Sequence, residues 1–165
     1  MHTIENEDRT LSRFIETIQA QESRKQDYLA NTSQLQFRTI SANDPEPISQ
    51  LVMEASNGLP TTILDCNKVA RDQIAAKAGI DVRSFERFRT HYPQQFDPLI
   101  NEVFQREPAQ RMIRTYMDSD NRGTARAVVS DKFKTFDNTH LIKAALPQLL
   151  DSDAQWKIVS ADVTD

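Results

Sequence analysis

The chain has 165 residues, 38% of them hydrophobic and 27% charged, which supplies enough length and apolar content for a buried core and excludes a disordered chain. One cysteine, Cys66, rules out an internal disulfide; no apolar run approaches the roughly 18 residues of a membrane span; and the acidic start MHTIENEDR is unlike a secretory leader, so a cytoplasm is the expected location. The net charge of −4 is unevenly spread: residues 68–134 carry 13 Lys and Arg against 9 Asp and Glu, whereas 1–67 carry 5 against 10 and 135–165 carry 2 against 5, so an anionic partner would meet the middle of the chain.

Leu11, Phe14, Ile15 and Ile18 recur at helical spacing in LSRFIETIQAQESRKQDYLA, with Thr10 placed to cap, and predict a helix from about 10 to 29. QLQFRTI, residues 34–40, alternates Leu35 and Phe37 with polar neighbours and reads as a strand. SANDPEP is a turn, and ISQLVMEASNG reads as a short helix stopped by Gly58. There is no internal repeat.

NKVARDQIAAKAGIDVRSFERFRTHYPQQ predicts a helix with Val69, Ile74 and Ala78 inward, a turn at Gly79, and a second helix from Asp81 to about Thr90 that buries Val82, Phe85 and Phe88. Asp81 is placed as an N-cap. Ala75, four residues before Gly79, has the spacing of helix-turn-helix units, in which a small residue lets two helices approach and glycine makes the turn. Arg83 and Arg87 then share a face at i, i+4, with Glu86 and Arg89 beside them. This pair reads either as a recognition helix or as an αα-hairpin packed in the core.

PQQFDPLINEVFQREP predicts a third helix with Phe96, Leu99, Ile100, Val103 and Phe104 on its buried stripe, ended by Pro108. RMIRTYM and TARAVV flank the turn-rich DSDNRG and form a hairpin pattern. Pairing of Met117 with Thr124 would put Arg114 and Arg126 on opposite faces; a slip of one would bring them together. The strand then runs into the elbow Ser130-Asp131-Lys132-Phe133. Phe133 and Phe136 are expected in the core, and Asp137 or Asn138 is expected to cap a helix over about 139–150. WKIVSADVTD reads as a strand whose partner lies outside the sequence, so self-association through it is expected. The fold class is therefore α+β: one domain over 1–165, helices packed on a small, mostly antiparallel sheet, forming the N-terminal part of a longer domain.

Chemical motifs are sparse. His2, His91 and His140 have no metal-ligand spacing, three glycines cannot build a phosphate cradle, and Cys66 has no local activating group. Asp118 and Asp120 suit a hairpin tip, and Asp131 and Asp137 suit turn and cap roles. No catalytic residue, metal or cofactor is assigned.

The segments RKQDYLANTSQLQF, DQIAAKAGIDVRSFERF, LINEVF and, above all, RAVVSDKFKTFDNTHLIKAALPQL occur in an order that resembles the phage/plasmid-like protein family, a domain of unknown function found in phages, prophages and plasmids. Arg126, Ala127, Ser130, Asp131, Phe133, Asp137 and Asn138 occupy the family's arginine-alanine, Ser-Asp, aromatic and Asp-Asn positions. Asp81 stands where the family tends to have proline, and Lys132 and Lys134 replace arginines. The resemblance implies a mobile-element role in DNA metabolism, such as single-strand binding, annealing or recombination, and carries no catalytic residue.

Three functions remain open. The domain could bind single-stranded nucleic acid without catalysis, through Arg83, Arg87 and Arg89 on the helix, Arg111, Arg114, Arg122 and Arg126 on the hairpin, and Lys132 and Lys134 on the elbow, with Tyr92, Tyr116 and Phe133 stacking on bases. It could be an assembly factor acting on host or phage proteins, its basic residues balancing acidic ones. As a metal-dependent nuclease it would need Asp131 and Asp137 to converge. For nucleic acid, Arg126 and Lys132 are expected to matter more than Arg83 and Arg87.

Overall fold

The computed structural model describes residues 3–40, 46–55 and 60–134, together with the helical positions Ala144, Ala145 and Pro147. In chain order these hold α1 (Thr3–Arg24), β1 (Lys25–Asn31), β2 (Leu35–Ile40), β3 (Ile48–Met53), β4 (Thr62–Cys66), α2 (Lys68–Lys77), α3 (Val82–His91), α4 (Pro93–Arg106), β5 (Gln110–Ser119) and β6 (Arg122–Ser130). The strands form one mixed sheet in the order β1-β5-β6-β4-β3-β2, in which β4 and β6 pair parallel and every other neighbour pairs antiparallel. The fold is α+β. It divides into two units, residues Lys25–Phe133 and residues 1–24 with 134–165. The first contains the sheet and α2 to α4; within the second, α1 is the described element. No described helix is long and apolar enough to cross a membrane.

Alternation along the strands sends Phe37, Leu51, Leu64, Ala125 and Ile113 to one face of the sheet. There they join Ala70, Ile74 and Ala75 of α2, Phe85 of α3, and Phe96, Ile100 and Phe104 of α4 in the core. Phe37, Phe85 and Phe96 meet edge to face at centroid distances of 5.0 to 6.4 Å, which ties β2, α3 and α4 together. Polar side chains of α4 also close the β2 edge. Asn101 accepts from the Phe37 N–H (2.7 Å) and donates to its carbonyl (2.9 Å), while Asp97 accepts from the Thr39 N–H (2.6 Å) and hydroxyl (2.8 Å). A strand from another molecule cannot pair with backbone groups already bonded in this way. Burial pushes the Asp97 carboxyl above its ordinary range, and the two Thr39 bonds oppose that shift. Desolvation likewise pushes the buried Cys66 thiol up to about 12, so the thiol stays protonated.

Several expectations are corrected. The first helix runs from Thr3 to Arg24, so Thr10 lies inside it, and residues 25–31 are strand β1 rather than its last turns. ISQLVM is strand β3 and not a helix: Ile48, Leu51 and Val52 fit a helical spacing as well as a strand, and Ser49 to Val52 are all buried, so the alternation that marks a strand is missing. Strand β4 was not anticipated, being five residues long. Val69, Val82, Phe88 and Leu99, expected inward, are exposed; α2 turns Ala70 and Ala75 to the core beside Ile74 instead. Of the two hairpin registers the sequence leaves open, the structure has the slipped one near the tip, with Met117 opposite Gly123. The turn at 41–45, Gly58, Phe136, the caps Asp137 and Asn138, the helix over about 139–150 as a whole and the strand at 156–163 lie outside the described residues.

Candidate functional site

The α2–α3 pair is built by local chemistry. The Asn67 side chain caps α2 by accepting from the Ala70 N–H (2.9 Å), Gly79 turns the chain at φ 67°, and Asp81 caps α3 by accepting from the Ser84 N–H (2.9 Å). Hydrogen bonds from Ser84 and neighbouring amides hold the Asp81 carboxyl below its usual range. The Ile80 N–H reaches back to the Ala75 carbonyl (3.0 Å), and Ala75 is fully buried, as close helix approach requires.

An ion cluster sets the pair's orientation. Glu86 accepts from Arg71 Nε (2.8 Å) and Arg89 Nε (2.6 Å); Arg71 also donates to the Cys66 carbonyl (3.0 Å), and Arg89 to the Pro47 carbonyl (2.7 Å). Burial works to raise the Glu86 carboxyl, but the bonds from Arg89 and Arg71 outweigh it and hold the group below its ordinary value. Arg89 is 3% exposed. Its charge is spent inside the protein and cannot contact phosphate.

Arg83 and Arg87 differ. Both lie on the exposed side of α3, one turn apart, and neither forms an ion pair with a described residue. His91 continues the row. Beside it stand two exposed aromatic side chains: Phe88, 42% exposed, and Tyr92, 50% exposed, with centroids 6.3 Å apart. Three other cations of the middle region are neutralised, Lys68 by Asp72, Lys77 by Glu107 and Arg106 by Glu102.

The hairpin arginines have another fate. Arg114 pairs with Ala127 and Thr115 with Ala125, which leaves Arg126 as the extra residue of a β-bulge. Arg114 and Tyr116 share the sheet face away from the core, and the Arg126 guanidinium lies 4.8 Å over the Tyr116 ring, so the bulge brings both arginines to that face. Arg114 is only 8% exposed, with Nε 3.3 Å from Asp27 Oδ2 and its guanidinium 5.9 Å from the Phe133 ring. Tyr116 is buried. The elbow is a tight turn in which the Phe133 N–H bonds the Ser130 carbonyl (2.9 Å) and the Lys132 N–H bonds Ser130 Oγ (3.2 Å). Phe133, expected in the core, is 44% exposed: it ends a surface turn, and among the described residues the Arg114 guanidinium lies beside its ring. Asp131 and Lys132 are exposed, Arg111 at the same end of the hairpin is half-buried, and Lys134, also exposed, belongs to the other unit.

The sequence-derived candidates thus fall into separate places: Arg83 and Arg87 on the helical side, Arg114 and Arg126 on the opposite sheet face, and Lys132 at the elbow. Among the described residues, no three His, Cys, Asp or Glu side chains come together to hold a metal ion. Sequence reasoning missed the exposure of Phe88 and the burial of Arg89. The Tyr92-Pro93 step, which breaks the chain between two helices and leaves an aromatic residue at a corner, was the available signal. No family model, no curated protein and no solved structure matches the chain.

Proposed function

We propose that the chain is a mobile-element protein of the phage/plasmid-like kind, acting in DNA metabolism as a non-catalytic nucleic-acid-binding accessory that favours single strands and reads no sequence. The observation that carries this reading is the Arg83 and Arg87 row: two exposed cations, a turn apart, with no ion-pair partner among the described residues, whereas Lys68, Arg71, Lys77, Arg89 and Arg106 on the same three helices are each paired with a carboxylate. Unpaired arginines of this kind are available to phosphates, with release of counterions. Arg114 and Arg126 serve the fold in this reading, and Lys132 with Arg111 forms a lesser contact at the elbow.

Fluorescence anisotropy with a labelled oligonucleotide at low salt tests it. About four phosphate contacts give a log affinity falling with log salt at a slope of roughly −3. Arg83→Glu with Arg87→Glu should abolish most binding, and Arg111→Glu with Lys132→Glu should weaken it less. Absence of binding at tens of micromolar protein would leave a protein-assembly factor as the better reading.

A further inference from the structure

Phe88 and Tyr92 are placed as no soluble helix pair needs them to be. A helix that packs on a sheet usually turns its aromatic residues inward, as α3 does with Phe85. Here two more rings stand in solvent at the corner between α3 and α4, each anchored to the fold. Phe88 rests against the buried Phe96, with centroids 6.0 Å apart and planes tilted by 35°. Tyr92 is fixed through its backbone from both sides: its N–H donates to the Phe88 carbonyl (2.8 Å), and its own carbonyl accepts from the N–H groups of Gln95 (3.2 Å) and Phe96 (2.9 Å). The His91 ring lies 6.3 Å from Tyr92. An anchored exposed aromatic surface loses little conformational freedom when something stacks on it.

The neighbouring charges decide what that something is. On the solvent side of α3 the corner adjoins Arg87 and His91, with Arg83 a turn farther along, while Glu86 points into its cluster with Arg71 and Arg89, Asp81 is committed to the N-cap and Asp97 is bonded to Thr39. The ligand must therefore combine negative charge with flat faces free to stack. A duplex has the charge, but its base faces are covered; an unpaired strand offers both.

We infer that Phe88 and Tyr92 form a base-stacking platform for a single-stranded nucleic acid, with Arg87 and, a turn farther, Arg83 holding phosphates, so that this corner sets the preference for unpaired over paired strands. This inference rests on the nucleic-acid reading above and extends it to the residues that recognise a base.

A comparison of two strands of equal charge, with a duplex of about twice that charge beside them, tests it. Anisotropy is measured at low salt with three 20-mers: oligo-dT, the same backbone with abasic sites throughout, and a blunt duplex. We expect oligo-dT to bind about tenfold tighter than the abasic strand, within the range that base–aromatic stacking supplies, and tighter than the duplex. Tyr92→Ala, at a half-exposed position, should remove most of that advantage and leave abasic binding unchanged. Phe88→Leu, which keeps apolar contact with Phe96, should do the same without unfolding the corner. Arg83→Ala should instead weaken all three ligands. Equal affinity for oligo-dT and the abasic strand, or a duplex preferred to both, overturns the platform while leaving the phosphate contacts standing. No binding to any of the three overturns the platform together with the nucleic-acid reading.

Discussion

The α2–α3 pair and the β5–β6 hairpin carry the same residue type and use it in opposite ways. Each presents arginines in a short, regular element, and along the chain nothing distinguishes one set from the other. In the folded protein Arg83 and Arg87 stand in solvent, whereas Arg114 lies against Asp27 and the Phe133 ring, and Arg126 covers Tyr116. Arg89, two residues beyond Arg87, belongs with the second group because it is locked to Glu86 and the Pro47 carbonyl. Charge counted along a sequence is therefore not charge presented to a partner. A cation that has already found a carboxylate or a ring contributes to stability, and one that has not is available for binding.

That division makes stability and binding separable. The largest loss of stability should follow Glu86→Ala, which leaves the buried Arg89 guanidinium without its carboxylate, at about 3 kcal/mol in urea denaturation. The same cluster gives a pH signature. The folded-state Glu86 carboxyl is held below its unfolded value, so its contribution is complete above the ordinary glutamate range near about 4.3 and is lost as pH falls through the lower folded value. Unfolding midpoints measured from pH 6 down to pH 3 should therefore fall more steeply for the parent than for Glu86→Ala. If the two curves run parallel, the cluster does not stabilise the helix pair.

Gly123→Ala should come next, at about 2 kcal/mol, because a Cβ there would strike the Tyr116 carbonyl and lie 2.9 Å from Met117 Cα, forcing the hairpin apart near its tip. Arg114→Ala should cost about 1 kcal/mol through lost packing and the Asp27 pair, with oligonucleotide affinity unchanged. A large fall in affinity with no change in melting temperature would move Arg114 into the binding group and erase the contrast between the two regions. Arg83→Ala with Arg87→Ala should change stability least, by under about 0.5 kcal/mol in thermal unfolding. A larger cost would mean that these side chains support the fold as well.

Much of the α2–α3 pair was legible from the residues, since caps and turns are local. Asp81 at the N-cap and Gly79 at a left-handed turn have the side chains that their backbone geometry calls for, and the structure has both in those roles. Helix α4, with Phe96, Ile100 and Phe104 of its expected stripe buried though Leu99 is exposed, and the β5–β6 hairpin, though not its register, were readable because each is periodic over enough residues to mark its type. The α+β class followed from them.

Strands β1, β3 and β4 were not readable in this way. Each is short, and a strand's hydrogen-bond partners lie far away in sequence: β3 is a strand because β2 and β4 flank it, and β4 because β6 lies on its other side. Lys25 to Asn31 continue the preceding helix with no glycine or proline to stop it, yet β5 captures them along their whole length. The candidate site divides along the same line. Arg83 and Arg87 could be placed on one face from their spacing, because four residues make about one helical turn. Whether a given arginine remained free depended on which distant groups the fold brought to it, Asp27 to Arg114, Tyr116 to Arg126 and the Pro47 carbonyl to Arg89. Local spacing determines the direction of a side chain, and tertiary packing determines what it meets there.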